Sequence, residues 1–178
     1  MHRRSLIPMV ALGLAGCATV IAPAGIGTSA TADLKNGRGQ SVGTATFTEV
    51  SGTVRIVVEI KGLPPGAKAV HVHAVGTCEG PQFTSAGGHF NPGGKEHGML
   101  NPKGPHAGDL PNITIAADGT GRMESATDRI SLGAGPATLF DADGSALVVH
   151  AAPDDFKTDP TGNAGSRLAC GVIVKKPG

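Results

Sequence analysis

Val54, Ile56, Val58 and Ile60 alternate with Arg55, Val57, Glu59 and Lys61. A period of two places four branched apolar side chains on one face of a strand and turns the other face toward water. Val42 to Val50 is the expected partner, joined through Ser51 and Gly52. Short apolar runs predict further strands over Ala69 to Val75, Ile113 to Ala117, Gly121 to Ser125, Ala137 to Asp141, Ala146 to Ala151 and Leu168 to Lys175. Asp118 with Gly119, and Asp143 with Gly144, are turn pairs that predict two hairpins. No stretch carries the 3.6-residue period of a long amphipathic helix, so the class is all-β, a sandwich or flattened barrel of seven or eight strands.

Two segments break this rhythm. Gly76 to Asn112 and Pro153 to Ser166 are polar and rich in Gly and Pro, and loops of such length are uncommon unless they carry function. The 28 Gly and 13 Pro of the 178-residue chain exceed a fifth of it, as expected for short strands joined by many turns. Five Phe with no Trp or Tyr leave Val, Ile, Leu and Ala to fill the core. They also make base stacking on nucleic acid a poor hypothesis. The formal charge is +1; two of the 15 basic side chains, Arg3 and Arg4, lie in the leader, leaving 13 against 14 acidic groups. A net charge near −1 offers no footprint for DNA or RNA.

The first residues have their own pattern. A basic start at His2, Arg3 and Arg4 precedes an apolar stretch from Leu6 to Ala15 that is too short to span a bilayer, the pattern of a cleaved signal peptide. Leu14, Ala15 and Gly16 before Cys17 match a bacterial lipoprotein signal over residues 1–17, with Cys17 as the lipidated residue and a membrane anchor as the consequence. An ordinary signal peptide cleaved further on is the alternative. Residues 18–32, rich in Ala, Thr, Gly and Pro, then form a flexible tether ahead of a domain at 33–178. If Cys17 carries lipid, Cys78 and Cys170 remain as a pair in an exported chain, in a cell envelope or periplasm where disulfides persist, and two buried free thiols are the lesser alternative.

Apart from His2, the histidines fall at His71, His73, His89, His97, His106 and His150. On a strand, residues i and i+2 share a face, so His71 and His73 offer two imidazoles to one ion. Taken alone that pair is weak, since a structural histidine beside an exposed one is commoner. The loop strengthens it: GGHFNP, KEHG and GPHAGDL add three imidazoles and the carboxylate of Asp109, a tetrahedral donor set for zinc.

With HVH at 71–73, GGHFNP at 87–92, GPHAGDLPNI at 104–113, VVHAAPDD at 148–155 and GNAGSRLACG at 162–171, the chain closely resembles the copper/zinc superoxide dismutase family from about Asp33 to Val174. The resemblance implies a Greek-key sandwich or flattened eight-stranded barrel with two long functional loops. It implies copper on His71, His73, His89 and His150, and zinc on His89, His97, His106 and Asp109, one of each metal per chain, with His89 as the bridging imidazolate. Asp154 matches the aspartate that links a copper histidine to a zinc histidine. Cys78 and Cys170 match the family disulfide, and Arg167 the arginine facing copper at the bottom of the substrate channel. The implied activity converts superoxide to dioxygen and hydrogen peroxide, with copper alternately reduced and reoxidised and His89 carrying a proton.

Some features depart from what relatives lead one to expect. Ala74 follows HVH, Pro153 precedes Asp154, and among Asp154, Asp155, Lys157 and Asp159 only Lys157 is cationic, so the loop offers weaker steering of an anion. A copper-delivery lipoprotein without turnover and a structural zinc module are the alternatives in other functional classes. The first would lack a copper ligand or Arg167; the second would leave His71, His73 and His150 without a purpose. A homodimer is compatible with the sequence.

Overall fold

In a computed structural model that describes residues 27–177, the chain forms β1 (Thr28–Asn36), β2 (Ser41–Val50), β3 (Thr53–Ile60), β4 (Gly66–Lys68), β5 (Val70–His73), β6 (Ile113–Ile115), β7 (Gly121–Thr127), β8 (Ala146–His150), β9 (Arg167–Val172) and β10 (Val174–Lys175). They make one antiparallel sheet in the order β4-β6-β7-β3-β2-β1-β9-β8-β5, with β10 also on β1. The two ends of that order, β4 and β5, are separated only by Ala69. The sheet therefore curls until its first and last strands are one bent stretch of chain, and the barrel is nearly closed. Counting β4 with β5 and β9 with β10 as bent single strands gives the eight expected from the sequence.

Alternation decides what lies inside. Val54, Ile56 and Val58 from β3, Ala45 and Phe47 from β2, and Leu147 and Val149 from β8 are fully buried. Burying a side chain of this size is worth about 1.5–3 kcal/mol relative to leaving it exposed. The β2–β3 hairpin turns through Ser51 and Gly52, both at positive φ (52° and 79°), the combination a two-residue turn needs to match strand twist.

β5 and β8 differ, because both of their faces are buried. Val70 and Val72 point into the barrel, while His71 and His73 point outward yet are 0% and 1% exposed. The long loop after β5 folds back over this wall. Phe90 N–H donates to Val72 O at 2.8 Å, Val72 N–H to Gly108 O at 2.9 Å and Ala74 N–H to Gly88 O at 2.9 Å, so the loop completes the free edge of β5. Gly108 permits the approach, because a Cβ there would strike the carbonyl of Val72. Cys78, near the start of this loop, is bridged to Cys170 of β9 with Cα atoms 5.6 Å apart, which ties the loop to the same wall. Its underside packs Phe83 and Ala86 against Ala146, Val148 and Cys170.

Several sequence expectations are corrected. β1 was not anticipated, and its first residues, Thr28 to Ala32, fall in the segment expected to be a tether. Its buried side is built from Ala30, Ala32 and Leu34, and the two alanines give too little hydrophobic contrast with Thr and Ser for the run to register as alternation. Ala137 to Asp141 is not a strand; it makes one isolated bridge, Thr138 to Ser131. The loop containing it is held by Glu49, whose carboxylate accepts the N–H of Leu132 at 2.6 Å and of Gly133 at 3.1 Å. Leu132 and Leu139 plug the core from that loop. Asp143 and Gly144 lie in a bend that leads into β8 and close no hairpin. The leader, Cys17 and the tether before residue 27 lie outside the described residues.

Candidate metal centre

Six histidines and two aspartates converge where β5 and β8 meet the two long loops. β5 supplies His71 and His73, and the last residue of β8 supplies His150. The loop covering β5 brings His89, His97, His106 and Asp109, and the loop after β8 brings Asp154. Isolated bridges pair His71 with Asp109 and His73 with His89. The backbone register that completes the β5 edge therefore also sets the site.

On one side, His71, His73, His89 and His150 have ring nitrogens all within 4.8 Å of one another. Each outer nitrogen is occupied. His71 Nε2 donates to Asp154 Oδ2 at 2.8 Å, His73 Nδ1 to Gly87 O at 2.9 Å and His150 Nδ1 to Gly165 O at 3.3 Å. Those bonds fix the tautomers and turn the remaining lone pairs inward. His73 Nε2 and His150 Nε2 face each other at 3.3 Å, while His71 Nδ1 and His89 Nε2 are buried with no hydrogen-bond partner among the described residues. Inward lone pairs repel and unpartnered buried nitrogens are costly; a cation among them answers both problems.

On the other side, three Nδ1 atoms surround one carboxylate oxygen. Asp109 Oδ1 lies 3.1 Å from His89, 3.0 Å from His97 and 3.4 Å from His106. Asp109 Oδ2 is satisfied by the backbone N–H groups of Gly98 at 2.9 Å and His106 at 3.0 Å. Tetrahedral ligands about 2.0–2.1 Å from zinc stand roughly 3.3 Å apart, the separation these donors already have. Asp154 joins the halves, its Oδ2 on His71 and its Oδ1 on His97 Nε2 at 3.0 Å. His71, His89, His97 and Asp109 also have donor atoms within 4.8 Å of one another, a grouping that substitutes His71 for His106. His71 Nε2 is already committed to Asp154, whereas His106 Nδ1 sits against both Asp109 and His89 Nδ1, the latter at 3.3 Å.

Burial and charge set the protonation states. Burial lowers His71 to about 4, His73 to about 2 and His150 to about 3, so all three rings are neutral at neutral pH and free to offer a lone pair. Burial likewise lowers His106. For His97 burial is outweighed by hydrogen bonds to Asp109 and Asp154, which raise it to about 9. Burial would raise both carboxyls, but Asp109 is held well below the usual range by bonds from His89, His97 and the Gly98 N–H. Asp154 is held low by His71 and His97.

A cavity of about 340 Å³ opens onto His73, His89, His150 and Arg167. Arg167 donates to the carbonyls of Phe83 and, at 2.6 Å, Gly87, and burial lowers its pKa from the free value. A larger recess of about 530 Å³, lined by Pro92, Pro105, Pro136 and Arg129 among others, contains no histidine. The paired histidine sets, not size, mark the functional cavity.

Residues 41–173 match the family described as copper/zinc superoxide dismutase (SODC). The chain belongs to that family. Superoxide dismutase (Cu-Zn) 2 of Aquifex aeolicus is 50% identical over 144 residues, covering 80% of this chain and 84% of that protein. Superoxide dismutase (Cu-Zn) of Caulobacter vibrioides is 52% identical over 149 residues, covering 82% and 85%. The crystal structure of a SOD-like protein from Bacillus subtilis superposes with a TM-score of 0.77 at 38% identity, covering 81% of this chain and 97% of that one. As a copper/zinc superoxide dismutase the chain is an oxidoreductase with copper and zinc as cofactors and superoxide as substrate.

All the site residues anticipated for this superoxide dismutase come together except Cys17, which lies outside the described residues. Sequence reasoning missed the acceptors, Gly87 O and Gly165 O, because a backbone carbonyl has no residue signature. It also missed Asn112, whose side chain donates to Asp154 O at 3.0 Å and accepts from Asp154 N–H at 2.9 Å. Its signal was available, since Asn112 lies within the GPHAGDLPNI match. Gly162 is required beside Asp154: it has φ +62°, and a Cβ there would collide with Asp154 Oδ1.

Proposed function

We propose that this chain dismutes superoxide to dioxygen and hydrogen peroxide with copper held by His71, His73, His89 and His150 and zinc held by His89, His97, His106 and Asp109. The observation that carries this reading is the placement of His89. Its Nδ1 faces Asp109 Oδ1 and His106 Nδ1, while its Nε2 is buried on the other side without a partner among the described residues, the disposition expected of a bridging imidazolate. When bound, copper would supply a one-electron couple, and zinc would be held by the residues gathered around His89 Nδ1.

The chain's own residues do the rest. Asp154 orients His71 and His97 together, so the two halves of the site are aligned by one carboxylate. The Arg167 guanidinium, anchored by two carbonyls, keeps a fixed cation in the cavity wall, favouring a small anion over neutral dioxygen. His89 Nε2 has no hydrogen-bond partner among the described residues and His89 lines the cavity, so with the metals bound it would be the chain's own atom placed to pass one proton to the peroxide, the second coming from solvent.

The same reading places the enzyme outside the cytoplasm, as a lipoprotein anchored through Cys17 that protects the cell envelope from superoxide arising there. The leader and the Cys78–Cys170 bridge, at home in an oxidising compartment, support it. The test is metal content and superoxide dismutation of the chain from Ala18 onward, loaded with both metals, beside His150→Ala. One copper and one zinc per chain with fast turnover, lost in the variant, is the expected result. Zinc alone, without turnover after copper loading, would sink the catalytic reading and favour a zinc-binding module.

A further inference from the structure

Asp159 carries no motif signal, yet its Oδ1 accepts the backbone N–H of His97 at 2.6 Å and lies 3.8 Å from His106 Nε2. One carboxylate oxygen thus reaches two residues of the Asp109 cluster. His106 presents Nδ1 to that cluster, 3.4 Å from Asp109 Oδ1, so Nε2 is on the far side of its ring. A neutral imidazole whose Nδ1 offers a lone pair carries its proton on Nε2, and that N–H faces Asp159. The Asp159 side chain is 45% exposed, which leaves room for a small rotation or one bridging water to complete the bond.

We propose that Asp159 is a positioning residue for zinc, fixing the Nε2–H tautomer and orientation of His106 while anchoring the backbone of His97. The loop at 151–166 then grips the zinc half at two points, Asp154 on the His97 ring and Asp159 on the His97 backbone and His106. A carboxylate behind a ligating imidazole strengthens it as a donor, and removing such a partner typically weakens metal binding about 10–100-fold. The inference rests on the zinc ligand set proposed above.

The test uses the metal-stripped full chain with its disulfide intact, as wild type, Asp159→Asn and Asp159→Ala. Each is titrated with zinc against a chelator of known affinity, and separately with cobalt(II) as a spectroscopic stand-in for zinc. Asn retains an oxygen that accepts the His97 N–H but removes the negative charge facing His106, so it separates backbone anchoring from action on the ring. Both variants are expected to bind zinc about tenfold more weakly or worse, and Asp159→Asn to shift the visible bands of bound cobalt. Wild-type affinity and an unshifted spectrum in Asp159→Asn would overturn the proposal and leave Asp159 a backbone anchor. Failure of the wild-type chain to take up cobalt would overturn the zinc ligand set itself, and this inference with it.

Discussion

Asp109 and Asp154 hold the site together in different ways. Asp109 sits inside the zinc-side cluster with one oxygen among three Nδ1 atoms. Asp154 stands behind two rings and uses one oxygen for each. Its two acceptor oxygens are both needed, because each receives an N–H from a different histidine. Asp154→Asn replaces one acceptor with a donor, so one of the two bonds is lost and a ring is released. We expect zinc or copper affinity to fall by about 10–100-fold, measured by chelator competition, with the strands intact by circular dichroism. Unchanged affinity for both metals would show that the rings are fixed by packing alone.

At the scale of elements, the loop after β8 is long yet determined, and the side chain that organises its tip is Asp155. Its carboxylate accepts from Lys157 N–H at 2.9 Å, Thr158 N–H at 2.8 Å, Thr158 Oγ1 at 2.6 Å and Asn163 Nδ2 at 2.8 Å. These bonds, the Thr158 hydroxyl first among them, lower its pKa to about 2, against about 3.9 for a free aspartate. A depressed folded pKa means that this contribution is fully present above about pH 4 and is lost as pH falls toward about 2. Asp155→Asn should therefore flatten the loss of thermal stability across that window relative to wild type while lowering stability at pH 7. Parallel melting curves for the two proteins from pH 7 to pH 2 would discard the idea. The loop was anticipated as functional from its length, but its internal bonding was not, since four donors closing on one carboxylate is a product of chain path.

For the molecule as a whole, the Cys78–Cys170 bridge spans 92 residues. Closing a loop of that size restricts the unfolded chain by roughly 4–5 kcal/mol on the chain-entropy account. It also holds the segment whose Gly87 carbonyl receives both His73 Nδ1 and Arg167. Cys78→Ser is therefore expected to lower unfolding stability by up to about 4–5 kcal/mol and to loosen copper retention, read by denaturant unfolding of the metal-free chain and by copper competition. If stability falls while copper affinity does not, the bridge acts on the unfolded chain alone.

What the sequence by itself determined was chemical identity and local period. Alternation along β2 and β3 is a property of neighbouring residues, and the histidine motifs are short strings whose donor atoms can be counted without coordinates. β1 escaped because two of the three residues on its buried face are alanines, with Leu34 the third, and Ala137 to Asp141 misled because apolar residues plugging a barrel from a loop resemble a strand in one dimension. Only the tertiary structure decided which nitrogen of each histidine faces inward, because that depends on carbonyls and carboxylates remote in sequence, Gly165 for His150 and Asp154 for His71. The same holds for Asp159, whose contacts with His97 and His106 cross from one long loop to the other. Hydrogen-bond partners brought together by the closing of a barrel leave no periodic trace in the chain, and the direction of each lone pair is settled by those partners.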